Sequence, residues 1–286
     1  MTILDHKIDF AVVFSVTRAN PNGDPLNGNR PRQNYDGHGE VSDVALKRKI
    51  RNRLQDSGES IFVQSNDRSD DPFKSLRERA EANEAMAKIV KQKDGSSEEF
   101  SQVACAQWID VRSFGQVFAF KGSEKKGVSV GVRGPVSIHT AISVDPIDIT
   151  SMQITKSVNS EPGEKRGSDT MGMKHRVDFG VYVFYGSINT QLAEKTGFTM
   201  GDAENIKQAL VTLFENDASS ARPEGSMEVH KVYWWEHSSK LGQYSSAKVH
   251  RSLHVSKNKE EARTFQDYKI TLDELEGLQV EIIDGL

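Results

Sequence analysis

The sequence of 286 residues predicts an α+β fold, built on a sheet with two helices and two insertions. Three observations support this fold class. Residues 8–16 are apolar and rich in β-branched side chains, an amphipathic helix pattern begins after Ser42, and a second strand–helix–strand series lies in the C-terminal half. Without the insertions, the predicted order is strand, helix, strand, strand, helix, strand. This is the order of the split βαβ, or ferredoxin-like, arrangement.

The first predicted strand leads into a polar, basic loop. Residues 8–16 (IDFAVVFSV) have the continuous apolar composition of a strand that is buried on both faces. Residues 17–33 (TRANPNGDPLNGNRPRQ), which we call the opening loop, contain three prolines and four asparagines and cannot form a helix. The charged residues of this loop are one acid and three arginines: Asp24, Arg18, Arg30 and Arg32. Asparagine side chains, backbone amides and arginines can bind phosphates and sugars without reading base sequence.

The first predicted helix begins at an N-cap, Ser42, and covers residues 43–54 (DVALKRKIRNRL). At 100° per residue, its apolar side chains form one stripe and three of its basic side chains occupy the neighbouring arc. The stripe contains Leu46, Ile50 and Leu54, and the arc contains Lys47, Arg48 and Arg51. Such an arc is either an ordinary solvated surface or, next to the opening loop, a binding surface for phosphates.

Two insertions interrupt the sheet. Residues 56–107 are highly charged and include a helical pattern over residues 73–93, which predicts an inserted helical lobe. Residues 108–120 and 128–144 have strand character and are expected to pair as antiparallel neighbours. Alternating segments over residues 147–158 and 170–188 then flank a charged tip, residues 159–169 (NSEPGEKRGSD). This pattern predicts a long β-hairpin.

The predicted order is completed by a second helix over residues 199–215 and a last strand over residues 227–238. Four apolar residues are expected on the inner side of this helix: Ile206, Leu210, Leu213 and Phe214.

The composition limits the classes of function. The net charge of −4 argues at first against a nucleic-acid-binding protein, but residues 265–286 carry six acids and one lysine, so the rest of the chain is close to neutral. One cysteine, Cys105, excludes an intramolecular disulfide and a cysteine-rich zinc site. The most apolar run, residues 10–16, is far shorter than the roughly 20 residues that a bilayer requires. We therefore expect a cytoplasmic protein without a membrane span.

No metal or cofactor site is predicted. His250 and His254 have the spacing of helical zinc ligands, but no acid lies between them, and ordinary packing or surface histidines are expected. The opening loop is similar to a calcium loop in composition, but Pro25 stands where an EF-hand needs glycine.

Several separate motifs, in order along the chain, resemble one family. They are NPNGDP in the opening loop, SDVALKRKIRN at the first helix, DVRSFG and VRGPVSIHTAIS in the predicted strand pair, and TMGMKH in the hairpin. Together they resemble the repeated, CRISPR-RNA-binding backbone subunit of CRISPR surveillance complexes, with the type I-C (Csd) branch as the nearest match. The resemblance covers essentially the whole chain.

The resemblance implies a fold with an RNA-recognition-like (ferredoxin-like) palm, a helical fingers insertion and a long β-hairpin thumb. The palm would consist of residues 1–55, 108–144 and 181–286, the last with an acidic C-terminal segment. Residues 56–107 would form the fingers and residues 145–180 the thumb.

The resemblance also implies a function without catalysis. Copies of the subunit would assemble head to tail along one CRISPR RNA, together with other Cascade subunits, and present the guide bases to target DNA, so that specificity belongs to base pairing. Ser42, Lys47 and Arg51 match the backbone-gripping helix of the family, with Arg48 beside them. Further implied RNA contacts are Arg18, Asn20 and Asn22 in the opening loop, and Met171 or Met173 as the apolar side chain that inserts between bases.

Two alternatives remain from the sequence. Related subunits of type III complexes cut RNA with an aspartate in the first loop, and Asp24 lies there, so a metal-dependent target-RNA endonuclease is the second hypothesis. A stand-alone single-strand binder with the same palm is the third, although it would not need so long a hairpin.

Overall fold

The computed structural model describes residues 2–91, 97–120, 128–155, 157 and 171–286. The strands within these ranges are β1 (Ile8–Ala19), β2 (Gly23–Asp24), β3 (Arg30–Pro31), β4 (His38–Val41), β5 (Gly115–Phe120), β6 (Val128–Arg133), β7 (Val136–Ile138), β8 (Ala141–Pro146), β9 (Ile149–Thr155), β10 (Met171–Ile188), β11 (Met227–Glu236), β12 (Leu253–Lys257), β13 (Tyr268–Leu272) and β14 (Val280–Asp284). The helices are α1 (Asp43–Asp56), α2 (Leu76–Ala82), α3 (Glu84–Lys91), α4 (Ser97–Gln107), α5 (Ile109–Phe114), α6 (Thr190–Thr196), α7 (Met200–Val211) and α8 (Ser246–Arg251).

An eight-stranded antiparallel sheet forms the centre of the molecule, in the order β14-β11-β1-β10-β8-β4, with β7 and β9 also paired to β10. β1 lies between β10 and β11, and its first nine residues are all buried, which confirms the prediction of a strand covered on both faces. Phe10, Val12 and Phe14 point to one core, whereas Ala11 and Val13 point to another, as the two-residue period of a strand requires.

The two faces of the sheet are covered differently. α1 and α7 pack on one face through Ile50 and Leu210, which confirms both helices. α7 ends at Val211, earlier than predicted, and Leu213 and Phe214 are buried in the turn that follows it. α8 and the β12–β13 pair cover the other face through Val249 and Leu253. α6 was not predicted from the sequence, although its Asn189 N-cap and left-handed Gly197 are the usual start and stop signals.

A separate, smaller core lies between α2, α3, α4, α5 and the β5–β6 pair, around Phe62, Phe100 and Phe118. One helix over residues 73–93 was a wrong prediction, because α2 and α3 are separated at Asn83. The Asn83 side chain accepts hydrogen bonds from the amides of Ala85 and Met86, at 3.1 and 3.2 Å, and so starts a new helix.

A strand over residues 108–120 was wrong for its first half, which is α5. There the Asp110 carboxylate accepts hydrogen bonds from the amides of Phe62 and Val63, and these tertiary contacts outweigh the strand propensity of the segment. Residues 128–144 form three strands instead of one. β5 pairs with β6 outside the main sheet, whereas β7 and β8 pair with β10.

The predicted hairpin is confirmed where it is described: β9 pairs with the first seven residues of β10, from Met171 opposite Thr155 to Val177 opposite Ile149. β10 then continues without a break to Ile188 at the centre of the main sheet. The predicted tip, residues 159–169, lies outside the described residues. None of the helices in the described ranges is long and apolar enough to cross a membrane.

Candidate nucleic-acid interface

The opening loop is folded on itself around Asp24. β2 and β3 form a short ladder, and the Asp24 carboxylate caps the 3-10 turn between them by accepting a hydrogen bond from the Leu26 amide at 3.2 Å. Arg32 Nη2 lies 3.6 Å from Asp24 Oδ1. This aspartate is therefore already held by an amide and an arginine, as a residue that shapes the loop would be.

Two asparagines fix the loop to the body of the protein. Asn20 is buried: its amide donates to the carbonyl of Ala221 at 2.9 Å, and its side chain donates to the carbonyl of Asn29 at 2.7 Å. Asn22 Oδ1 accepts a hydrogen bond from the amide of Ser42 at 2.9 Å. The opening loop is thus joined directly to the start of α1.

Ser42 and Lys47 stand at this start. The Ser42 hydroxyl accepts a hydrogen bond from the Ala45 amide at 3.3 Å and forms the predicted N-cap. Lys47 Nζ lies 3.0 Å from Asp43 Oδ2, in an i,i+4 pair on the surface. Because surface pairs of this type contribute little stability, the Lys47 ammonium can exchange Asp43 for a phosphate at small cost.

The other two members of the basic arc have partners inside the protein. Arg51 Nε donates to Asp110 Oδ2 at 3.0 Å, and its guanidinium lies over the ring of Phe114. Arg48 Nη1 donates to the carbonyl of Val63 at 2.6 Å. Burial lowers the pKa of the Arg48 guanidinium, and neighbouring Arg51 lowers it further. Both arginines therefore tie α1 to the small core.

Arg18 is exposed at the end of β1, with a φ of 51°. A left-handed arginine inside a strand is a strained conformation. Its side chain makes no hydrogen bond or ion pair with the residues that the structure describes, and it lines a cleft of about 690 Å³ at the base of the hairpin. The cleft is lined by both acidic and basic side chains: Asp145, Asp148, Arg176, Asp178, Lys257, Glu260, Glu261 and Arg263.

Met171 and Met173 lie on the opposite face of the hairpin from Arg176, because side chains alternate along β10. They are 67% and 55% exposed, which is unusual for methionine and leaves both available for contact. His175 and Ser151 lie on the same face. Arg30 of the opening loop reaches this face and donates from Nη1 to the Ser151 hydroxyl at 2.8 Å.

The predicted residues thus differ in exposure and position. Lys47, Met171 and Met173 have exposed or weakly paired side chains, and the described contacts join the opening loop both to α1 and to the methionine-bearing face of the hairpin. We call this region the loop–hairpin surface. Arg18 is also exposed, but it lines the cleft together with Arg176, on the opposite face of the hairpin. Asn20, Asn22, Ser42, Arg48 and Arg51 have internal partners and shape the loop–hairpin surface.

Three of the residues that build this surface were not predicted from the sequence: Arg30 as the link to the hairpin, Ser151 as its acceptor and Asp110 as the partner of Arg51. In the sequence, Arg30 is only one of three arginines in the opening loop. No signal in the sequence connects Ser151 or Asp110 to residues more than 50 positions away.

Comparison with known proteins agrees with the motifs. The family model for CRISPR-associated protein Cas7 matches residues 6–273. A CRISPR-associated protein Cas7 of Haloferax volcanii is 26% identical over 234 residues, which cover 77% of this chain and 67% of that protein. Two chains from solved CRISPR RNA-guided surveillance complexes, one described as pre-nicking, are each 17% identical with a TM-score of 0.45. These matches cover 80% of this chain, and 78% and 68% of theirs. The match of the family model over nearly the entire chain establishes that the protein belongs to the Cas7 family of CRISPR-associated proteins.

Proposed function

We propose that this chain is the CRISPR-RNA-binding backbone subunit of a type I-C surveillance complex. Copies would assemble head to tail along the guide RNA, beside other Cascade subunits, and present its bases to target DNA. In a chain of the Cas7 family, one observation carries the proposal: the opening loop is bonded to the start of α1 and to the exposed face of the hairpin, so that these three form one surface. The I-C assignment rests on the sequence motifs.

The strand order supports an RNA-recognition-like palm. β11, β1, β10 and β8 lie side by side and antiparallel, α1 follows β1, and α7 follows β10. This is the neighbour relation of the split βαβ arrangement. The separate core around Phe62 supports a fingers unit, and the extension of β9 and β10 beyond the sheet supports a thumb.

Within this function, we assign phosphate contacts to Lys47 and Arg18, whose charges are the least committed to internal partners. Phosphate contacts position a nucleic acid without reading its sequence, which suits a subunit that must bind any guide. Met171 or Met173 would insert between bases, because a flexible thioether adapts to irregular apolar gaps.

The remaining predicted residues would act through shape. Asn20, Asn22 and Ser42 fix the backbone of the opening loop and the start of α1. Arg48 and Arg51 hold α1 against the small core.

The function proposed is not catalytic. Asp24 already pairs with Arg32 and the Leu26 amide, which suits a structural role better than that of a metal ligand. The endonuclease alternative has no further support in the described geometry.

The test is a purification of the tagged full-length chain, co-expressed with a CRISPR array and its neighbouring proteins. We expect RNA of uniform length to co-purify, together with several copies of this chain per RNA. A preparation that is free of RNA, or RNA of random length, would contradict the proposal.

A further inference from the structure

The Ser151 hydroxyl is the meeting point of two side chains from different elements. It accepts a hydrogen bond from Arg30 Nη1 of β3 at 2.8 Å, and it is 2.8 Å from His175 Nδ1 of β10. Ser151 and His175 are direct partners in the register of the hairpin. One hydroxyl therefore connects both strands of the hairpin to the opening loop.

Arg30 approaches Ser151 from a fixed position. Its backbone is paired with Asp24 in the β2–β3 ladder, and the preceding residue, Asn29, accepts the side-chain hydrogen bond of buried Asn20. The guanidinium therefore extends from an anchored backbone, and its orientation is set before it meets the hairpin.

One other side-chain hydrogen bond of the loop is described near the hairpin: Gln33 Nε2 donates to the carbonyl of Ile147 at 3.1 Å. Ile147 precedes β9, at the base of the hairpin. Ser151 lies four residues further out, which is about 13 Å along an extended chain. β10 already joins the hairpin to the main sheet, and two contacts separated by this length fix the direction of the hairpin relative to the opening loop more firmly than the base contact alone.

We propose that Ser151 is a positioning residue, which sets the angle between the hairpin and the opening loop through its hydrogen bonds to Arg30 and His175. The inference rests on the proposed function, because the angle fixes where Met171 and Met173 meet an RNA strand that lies along the loop. In this proposal the Arg30 guanidinium is a hydrogen-bond donor to the hairpin and does not contact a phosphate.

Three variants of the full chain separate these roles. Ser151→Ala removes the hydroxyl, Ser151→Thr retains it with a good strand former, and Ser137→Ala is the matched control. Ser137 is an exposed serine of β7, which also pairs with β10, and its hydroxyl has no hydrogen bond among the residues described.

The first measurement uses the free protein, by hydrogen exchange of the amides in β9 and β10. We expect exchange in this hairpin to rise about fivefold in Ser151→Ala, as for the loss of one net hydrogen bond, and to stay at the wild-type value in Ser151→Thr and Ser137→Ala. Unchanged exchange in Ser151→Ala would overturn the inference.

The second measurement uses the assembled complex, by nuclease protection of its guide RNA and by the salt dependence of RNA binding. In Ser151→Ala, we expect the ratio of nuclease cleavage between cleaved and protected positions of the guide RNA to fall about fivefold. The log–log salt slope of RNA binding should stay unchanged. Ser151→Thr should restore this ratio. Arg30→Gln, which removes the guanidinium, should also leave the slope unchanged; a slope that falls by about 0.7 in this variant would instead make Arg30 a phosphate contact and overturn the inference. Wild-type protein that assembles on no RNA would refute the proposed function, whatever the exchange result at Ser151.

Discussion

Lys47 and Arg51 lie about one turn apart on α1, and the residues beside them give them different roles. The sequence places both on one basic arc, since helical periodicity fixes the direction of a side chain. It does not reveal partners that arrive from elsewhere in the chain. Asp110, nearly 60 residues away, makes Arg51 a structural residue, whereas Lys47 has only the surface partner Asp43.

We expect Lys47→Ala to reduce the log–log salt slope of RNA binding by about 0.7, as for the loss of one single-strand phosphate contact. The free energy of unfolding should change by less than about 0.5 kcal/mol, because the pair with Asp43 is on the surface. Filter binding over a range of salt, with urea unfolding in parallel, checks both expectations. An unchanged slope would remove Lys47 from the interface.

Arg51→Ala should have the opposite effects: an unchanged salt slope of RNA binding and a lower free energy of unfolding. Asp110 is almost completely buried, and the variant removes the arginine that is bonded to its carboxylate, which we expect to lower the free energy of unfolding by about 3 kcal/mol. Urea unfolding compared with Lys47→Ala is the measurement. Equal stability of the two variants would show that the ion pair between Arg51 and Asp110 does not hold α1 in place.

Asp24 is tested by two substitutions that differ in capping ability. Asp24→Asn retains an N-cap side chain, whereas Asp24→Ala removes it and should cost about 1 kcal/mol of stability. Because neither retains the carboxylate, both should still support target interference if the subunit is not a nuclease. Regularly spaced cuts in a labelled complementary RNA, present with wild-type complex and absent with both variants, would establish the endonuclease alternative.

Among the elements, those with a repeating pattern were predictable. β1, α1 and the hairpin have apolar or alternating residues whose period matches the structure, and the Ser42 cap marks the start of α1. α5 was not predictable, because Ile109, Val111 and Phe114 favour a strand locally and the helix depends on contacts of Asp110 with residues 62–63. The break between α2 and α3 at Asn83 was also not predictable, because it depends on the hydrogen bonds of one side chain.

At the level of α1, we expect Ser42→Ala to destabilise the protein by about 1 kcal/mol, because the Ala45 amide loses its acceptor. Ser42→Thr should restore most of this stability. Thermal unfolding of the two variants checks the expectation, and equal transition temperatures would show that the cap is not needed.

At the level of the hairpin, deletion of residues 159–169 with a short turn in their place should leave the main sheet folded, since β10 pairs with β1 over Val177–Ile188 independently of the tip. Ordered assembly on RNA should be impaired if each hairpin reaches a neighbouring subunit. Circular dichroism and the size of the purified complex measure the two effects. Full-length complexes with wild-type guide protection would contradict the thumb assignment.

At the scale of the whole molecule, buried histidines link stability to pH. Burial lowers the pKa of His250, although Asp9 at 3.7 Å and the hydrogen bond to the Gly186 carbonyl oppose the shift. Burial also lowers the pKa of His230, against the opposing effect of Glu228. As the pH falls below about 6.5, the unfolded chain protonates these histidines and the folded protein does not, so stability decreases.

We therefore expect the free energy of unfolding to fall between about pH 6.5 and 5, with a smaller slope in His250→Gln. Urea unfolding over this pH range measures both. The same slope in His250→Gln as in wild type would show that another group causes the dependence.

Because β10 continues from the hairpin into the main sheet, the number of residues in the hairpin determines both how far its side chains reach and on which side they lie. The 18 residues of β10 extend over about 60 Å, and the alternation that buries Val177 in the core is the alternation that turns Met173 toward the opening loop. One residue added to each of β9 and β10 at the base would rotate both methionines to the other side, next to the cleft, while the hairpin pairing is kept. Two residues added to each strand would restore their side and carry them about 7 Å further out. Evolution can therefore lengthen this arm only in steps of two residues if the same side is to face the RNA.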